Sequence, residues 1–463
     1  MRLPFTRRQG VRSLSRPALL TAITIHMKPW EVQTLMKKGE TMIASLPADQ
    51  RLLPKPRLDD LIGLLVQDAY EVVGPRLEQG AIIYAPVRSA QDLPIGWTDR
   101  QAPGSYRLER RNDQAFFGYA VGPHSWKRYL FPPMLRLWLG QRTTAGFSIQ
   151  DEQYDPPRRA FLGMRACELH ALAVQDRVFI NRDGQFTDPH YAKARERLFL
   201  IAVECEHPGG TCFCASMGTG PEVRPERVPL LASKHEDGAK QVKADGMAKT
   251  PLPLATPTRP AGIAEPPVCD LVLTELDDAF VLRAVSPAGQ GVVERLSLSA
   301  ASAEQVADAR RRVESAAQSM GRAVDVTDVR GLLHRNEEHP RWDDVAGRCL
   351  ACTNCTLVCP TCFCSCTEDV TDLNLQTAER VRRWDSCFNP EFARVHGGNF
   401  RPSIRGRYRQ WLTHKFASWF DQFDVSGCVG CGRCITWCPV GIDVTEEITA
   451  IRASDGQRGE KKP

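Results

Sequence analysis

The sequence predicts an α+β or α/β amino-terminal domain followed by a mainly helical, loop-rich domain organised around cysteine, on three observations. Helix-type and strand-type periodicities alternate through the first two thirds of the chain, and two apolar strand candidates there run directly into cysteines. Twelve of the seventeen cysteines then fall between Cys349 and Cys438. An odd, clustered set of cysteines is not how a disulfide framework is spread, so metal ligation in a reducing, cytoplasmic setting is expected. With 463 residues, 42% hydrophobic and 25% charged, the chain is long enough for two or three domains with proper cores. A net charge of +5 is near balance, which argues against a dedicated nucleic-acid binder. No run of eighteen apolar residues occurs, so no transmembrane segment is expected.

Taken in order, residues 1–29 read as a basic, disordered tail, since residues 1–30 hold five arginines and no acidic residue. Thr6-Arg7-Arg8 resembles a twin-arginine signal only loosely, because the apolar stretch from Ala18 to Ile25 is short and Thr-interrupted. Met27 is an alternative start. Residues 30–335 form the expected α/β domain. Helical periodicity spans Asp59 to Val73, with Leu61, Ile62, Leu64, Leu65 and Val66 as its apolar stripe, and a strand candidate follows at Ala81–Val87. Phe161–Met164 leads into Cys167 and Leu198–Val203 into Cys205. In an open α/β sheet that edge is where ligands collect. From Pro221 to Pro267, nine prolines and few large apolar residues mark a flexible insertion. Two strands, Cys269–Leu276 and Ala279–Val285, then flank Asp277-Asp278, and residues 302–320 form a helix. Cys269 reads as core. The polar, proline-broken stretch at 336–348 begins the second domain, residues 336–450, and 451–463 is a polar tail.

Residues 349–360 read Cys-Leu-Ala-Cys-Thr-Asn-Cys-Thr-Leu-Val-Cys-Pro, and 428–439 read Cys-Val-Gly-Cys-Gly-Arg-Cys-Ile-Thr-Trp-Cys-Pro. The repeated C-x₂-C-x₂-C-x₃-C-P spacing specifies two [4Fe–4S] clusters of the bacterial ferredoxin type, in which three thiolates hold one cubane and the fourth crosses to its neighbour. One cluster is therefore expected on Cys349, Cys352, Cys355 and Cys438, the other on Cys428, Cys431, Cys434 and Cys359. Zinc would want two Cys pairs on a longer spacer around one tetrahedral ion. Gly427, Gly430 and Gly432 let backbone approach closely and offer amide donors, while Ile435 and Trp437 shield the site.

The spacer between the ladders carries Cys362, Cys364, Cys366 and Cys387, which read either as spare thiols or as ligands of a further cluster. Arg401, Arg405, Arg407, Tyr408, Arg409, Trp411, His414 and Lys415 follow, and read as a segment that packs over anionic clusters and presents a docking face. Outside the ladders, Cys167, Cys205, Cys212 and Cys214 supply one more cubane's complement, with Gly209, Gly210 and Gly218 about them, so a third [4Fe–4S] cluster is expected there. The plainer alternative makes Cys167 and Cys205 small buried hydrophobes.

Arg165-Ala-Cys-Glu-Leu-His170, Gly210-Thr-Cys-Phe-Cys-Ala-Ser-Met-Gly-Thr-Gly-Pro221, Cys359-Pro-Thr-Cys-Phe-Cys364, Trp384-Asp-Ser-Cys-Phe388, Arg407–Lys415 and Gly427–Cys434 together resemble the beta subunit of cytosolic sulfhydrogenases and the related iron–sulfur electron-transfer subunit of anaerobic sulfite reductases. The resemblance covers roughly residues 30–450, by the positions of these motifs. It implies an electron-transfer role in which one partner is a flavin- and NAD(P)-binding subunit. The other is either the small and large [NiFe] hydrogenase subunits or a sirohaem sulfite reductase subunit. No dinucleotide loop after a strand and no acid–base constellation is found in the sequence, so no catalytic residues are expected on this chain. An iron–sulfur regulatory sensor is a third reading, without the recognition helix it would need.

Overall fold

The computed structural model describes residues 50–151, 153–180, 187–224, 269–423 and 425–455. The expected basic tail, most of the 221–267 insertion and the end of the 451–463 tail lie outside the described residues.

The chain enters through strand β1 (Gln50–Pro54) and helix α1 (Leu58–Gln67), which buries Leu58, Leu61, Ile62 and Leu65. The helix stops earlier than its periodicity predicts. Ala69 takes a left-handed φ of 61°, and Glu71 to Val73 open strand β2 (Glu71–Glu78) instead of extending the helix. The β-branched pair Val72 and Val73 prefers that extended backbone and buries both side chains there. β3 (Ala81–Pro86) returns antiparallel to β2, and β4 (Trp97–Ala102) with β5 (Ser105–Arg110) makes a separate hairpin.

Next come β6 (Met134–Thr143), β7 (Gly146–Asp151), β8 (Arg159–Met164), α2 (Ala166–Phe179) and β9 (Leu198–Val203). The hairpin of β10 (Leu271–Glu275) and β11 (Ala279–Ala284) and the helix α3 (Ala303–Gln318) follow, close to the expected bounds. A seven-stranded sheet results, in the order β1-β11-β10-β9-β8-β2-β3. β2, β8, β9 and β10 run parallel at its centre. Both faces of these strands are covered, which is why Phe-Leu-Ile-Ala-Val in β9 is an unbroken apolar run.

The cysteine-rich part contains α4 (Arg341–Arg348), the strands β12 (Ser365–Thr371) and β13 (Thr377–Trp384), α5 (Ile404–Thr413) and α6 (Val444–Ala453). It is not helix and loop throughout. β12 and β13 pair with each other, and β13 pairs with β6, giving a four-stranded sheet β12-β13-β6-β7 that ties the spacer to the earlier part of the chain. Trp342, Tyr408, Trp411, Leu412, Ile448 and Ile451 from α4, α5 and α6 share one apolar cluster with Phe213 and Met217 from the loop after β9. No helix among the described residues is long and apolar enough to cross a membrane.

Candidate metal centre

β8 and β9 are adjacent and parallel, so their carboxyl ends lie side by side. Cys167 occupies the first turn of α2 just beyond β8, Cys205 follows β9, and Cys212 and Cys214 return in the next loop. All four line one cavity, with Arg165, Val121 and Met320 completing its wall. Burial pushes the Cys205 and Cys212 thiols up. Ionising them therefore requires positive charge inside the cavity, which a bound metal group would supply. The Arg165 guanidinium contributes some of it, and is aimed there by bonds to the carbonyls of Phe117 (2.7 Å), Tyr119 (2.8 Å) and Glu204 (2.9 Å).

The ladders form two further cavities. Cys349, Cys352, Cys355 and Cys438 line one, with Cys434 at its edge. Cys428, Cys431, Cys434 and Cys359 line the other. The fourth cysteine of each ladder thus stands among the first three of its partner. The two loops repeat one conformation: φ is positive at Ala351 (50°) and Thr353 (70°), and at the equivalent Gly430 (65°) and Gly432 (74°). The amides of Ala351 and Gly430 each donate to the first cysteine sulfur of their ladder at 3.4 Å. A Cβ on Gly430 would come within 2.7 Å of the Cys214 backbone, and one on Gly432 within 2.4 Å of the Thr211 carbonyl oxygen. These glycines let the second ladder close on the loop of the amino-terminal site.

Charge is placed with equal economy. Lys415 is buried and its Nζ lies 3.2 Å from the Cys359 sulfur and 3.2 Å from the Thr361 hydroxyl. Burial opposes its charge, but the sulfurs of Cys359, Cys362 and Cys428 outweigh it and hold its pKa well above the usual lysine value. Arg433, between Cys431 and Cys434, meets Glu168 of α2 in an ion pair of 2.5 Å with almost no solvent access on either side. Its Nε donates to the Gly122 carbonyl (2.8 Å) and its Nη2 also to that of His124 (3.2 Å), and Glu168 also accepts from Tyr84 (2.5 Å) and Trp126 (3.2 Å). The spacer arginines are less free than a docking face would be: Arg405 is bonded to Glu338 (2.8 Å) and Asp343 (3.0 Å), and Arg409 to Glu338 (2.7 Å). His414 is sunk far enough that burial draws its pKa down to about 4.

Among the described residues no group of three or more His, Cys, Asp or Glu closes on a single metal ion. At least four thiols line each cavity without closing on one ion, which fits a polynuclear guest better than zinc. The cavities form a row: the Cys212 sulfur lies 3.7 Å from the Cys431 carbonyl oxygen, and Cys434 borders both ladder cavities. Cys352 and Leu350 are exposed at the outer end. The Arg433–Glu168 pair carries no signal in the sequence, since its members stand 265 residues apart.

Residues 348–442 match the model of the 4Fe-4S dicluster domain. The chain is similar to the sulfhydrogenase 2 subunit beta of Pyrococcus furiosus, at 26% identity over 388 residues, covering 81% of this chain and 94% of that relative. Relative and domain together agree with the resemblance carried by the cysteine motifs. No solved structure matches.

Proposed function

We propose that this chain is the iron–sulfur electron-transfer subunit of a sulfhydrogenase-type complex, relaying electrons between a [NiFe] hydrogenase pair and an FAD- and NAD(P)-binding subunit. The observation that carries the reading is the row of three cavities, two lined by four cysteines and one by five, running from the sheet edge to an exposed rim. The proposed ligands are Cys349, Cys352, Cys355 and Cys438 for the outer cluster, Cys428, Cys431, Cys434 and Cys359 for the middle one, and Cys167, Cys205, Cys212 and Cys214 for the inner one. Bound clusters would supply one-electron carriers. The protein's own part is to hold the thiolates in place, shield them with Ile435, Phe213 and Phe416, and set charge and amide donors around them, which are the levers that tune potential. We read residues 336–450 as a ferredoxin-like dicluster domain interrupted by the β12–β13 hairpin, and so many free thiols fit a reducing cytoplasm. Leu350 (63% exposed) and Val440 rim the outer end and offer an apolar seat for one partner.

Copurification and reconstitution test this. The chain should copurify with nickel-containing subunits, and alone it should neither oxidise H₂ nor oxidise NAD(P)H until a flavoprotein is added. Copurification with a sirohaem protein would move it to the sulfite reductase branch, and NAD(P)H oxidation by the single chain would end the carrier reading.

A further inference from the structure

The remaining spacer cysteines line none of the three cavities. They meet in pairs and do not gather round a point. Cys362 hydrogen-bonds to the Cys359 sulfur, Cys387 to the Cys364 sulfur, and Cys366 faces Glu368 at 3.7 Å. The hairpin sets the second pair: Ser365 is opposite Trp384 at the end of the ladder, and the Asp385 amide donates to the Cys364 carbonyl at 2.9 Å. A turn anchored by Ser386, whose hydroxyl meets Thr356 (2.8 Å) and the Phe388 amide (3.1 Å), brings the Cys387 thiol and amide back onto the Cys364 sulfur.

Two buried ammonium groups lie beside the adjoining Cys359–Cys362 segment. Lys127 lies 4.0 Å from the Trp384 ring centroid, its Nζ 3.1 Å from the Cys359 carbonyl and 3.2 Å from that of Cys362, and Lys415 sits on Cys359. Such a setting repels a lone metal cation and favours a thiolate. The Cys387 hydrogen bond, with both lysines adding to it, draws Cys364 down to about 7. A thiolate beside an ammonium, with a second thiol in contact, is the arrangement of a reactive dithiol.

We infer that Cys364 and Cys387 form a redox-active dithiol beside the outer ladder, a two-electron store next to one-electron carriers. This rests on the reading that the ladders hold iron–sulfur clusters. Oxidation breaks two S–H bonds, forms one S–S bond, releases two protons to solvent and gives one electron to each of two iron–sulfur carriers. Reduction reverses every step, so atoms and electrons balance without a further reagent.

The test uses the full iron-loaded chain, equilibrated anaerobically against oxidised and reduced dithiothreitol, quenched in acid, alkylated with N-ethylmaleimide and mapped by mass spectrometry. A Cys364–Cys387 crosslinked peptide should appear and vanish reversibly as a two-electron transition while iron content stays constant. C364S should lose that crosslink and keep its iron. Both thiols alkylated at every poise with iron constant would overturn the inference and leave the cluster reading intact. Loss of about four irons in C364S would make them cluster ligands instead, by the stoichiometry of a cubane. A wild-type chain without iron would mark failure of the cluster reading itself.

Discussion

Arg433 and Glu168 form an ion pair in a place almost without solvent, where neither charge could survive alone. Removing one partner strands the other, and breaking such a buried pair costs about 3–5 kcal/mol. Arg433→Met should therefore lower unfolding stability by about that much and weaken the contact between the second ladder and the Cys167 site, as measured by denaturant unfolding of the anaerobic protein. An Arg433→Met, Glu168→Gln double variant should lose less than the two single losses added together, because no lone charge remains. Thr353 is the opposite case: a β-branched residue at φ 70° where the other ladder has glycine. Thr353→Gly should stabilise the chain by about 1 kcal/mol, by relieving left-handed strain. Ligand types are legible at this scale because their spacing is local. The ion pair and the Lys415–Cys359 contact are not, since nothing within reach of either residue in the sequence announces its partner. The sequence reads Lys415 only as one of a basic set packing over anionic clusters and presenting a docking face, and does not single out the thiol its Nζ meets.

Elements show the same division. The strand-to-cysteine pattern places Cys167 and Cys205 at one sheet edge, and the parallel β8–β9 pairing puts them there. Periodicity carries α1 too far because its stripe runs on smoothly into Val72 and Val73, while the break is a single left-handed residue, Ala69, that has no composition signal. The β12–β13 hairpin is hidden for another reason: its partner strand, β6, lies more than two hundred residues earlier, and the cysteines of the spacer mask its strand pattern. Two predictions belong here. Gly432→Ala would press a Cβ to 2.4 Å from the Thr211 carbonyl oxygen and hold φ at 74°, so about 2–5 kcal/mol should be lost from overpacking and left-handed strain, with iron leaving the Cys167 site first. Cys438→Ser should abolish the paramagnetic signal of the cluster held by Cys349, Cys352 and Cys355, and spare the one formed by its sequence neighbours Cys428, Cys431 and Cys434. The reverse pattern would refute the crossed ladders.

At the scale of the whole molecule, the seven-stranded sheet supplies a rigid edge, the second ladder closes onto the loop beyond it through Gly430 and Gly432, and α4, α5 and α6 share an apolar cluster with that loop. The outcome is a line of three cysteine-lined cavities from the protein interior to Cys352 at the surface, and the relay proposed above needs all three filled. Iron, acid-labile sulfide and zinc measured per chain on anaerobically purified full-length protein test this most directly. About twelve irons and twelve sulfides are expected from three cubanes, falling to about eight of each when Cys212 and Cys214 are both changed to Ala, by the four-iron stoichiometry of each site. Zinc in place of iron, or no more than about eight irons in the wild-type chain, would contradict the account.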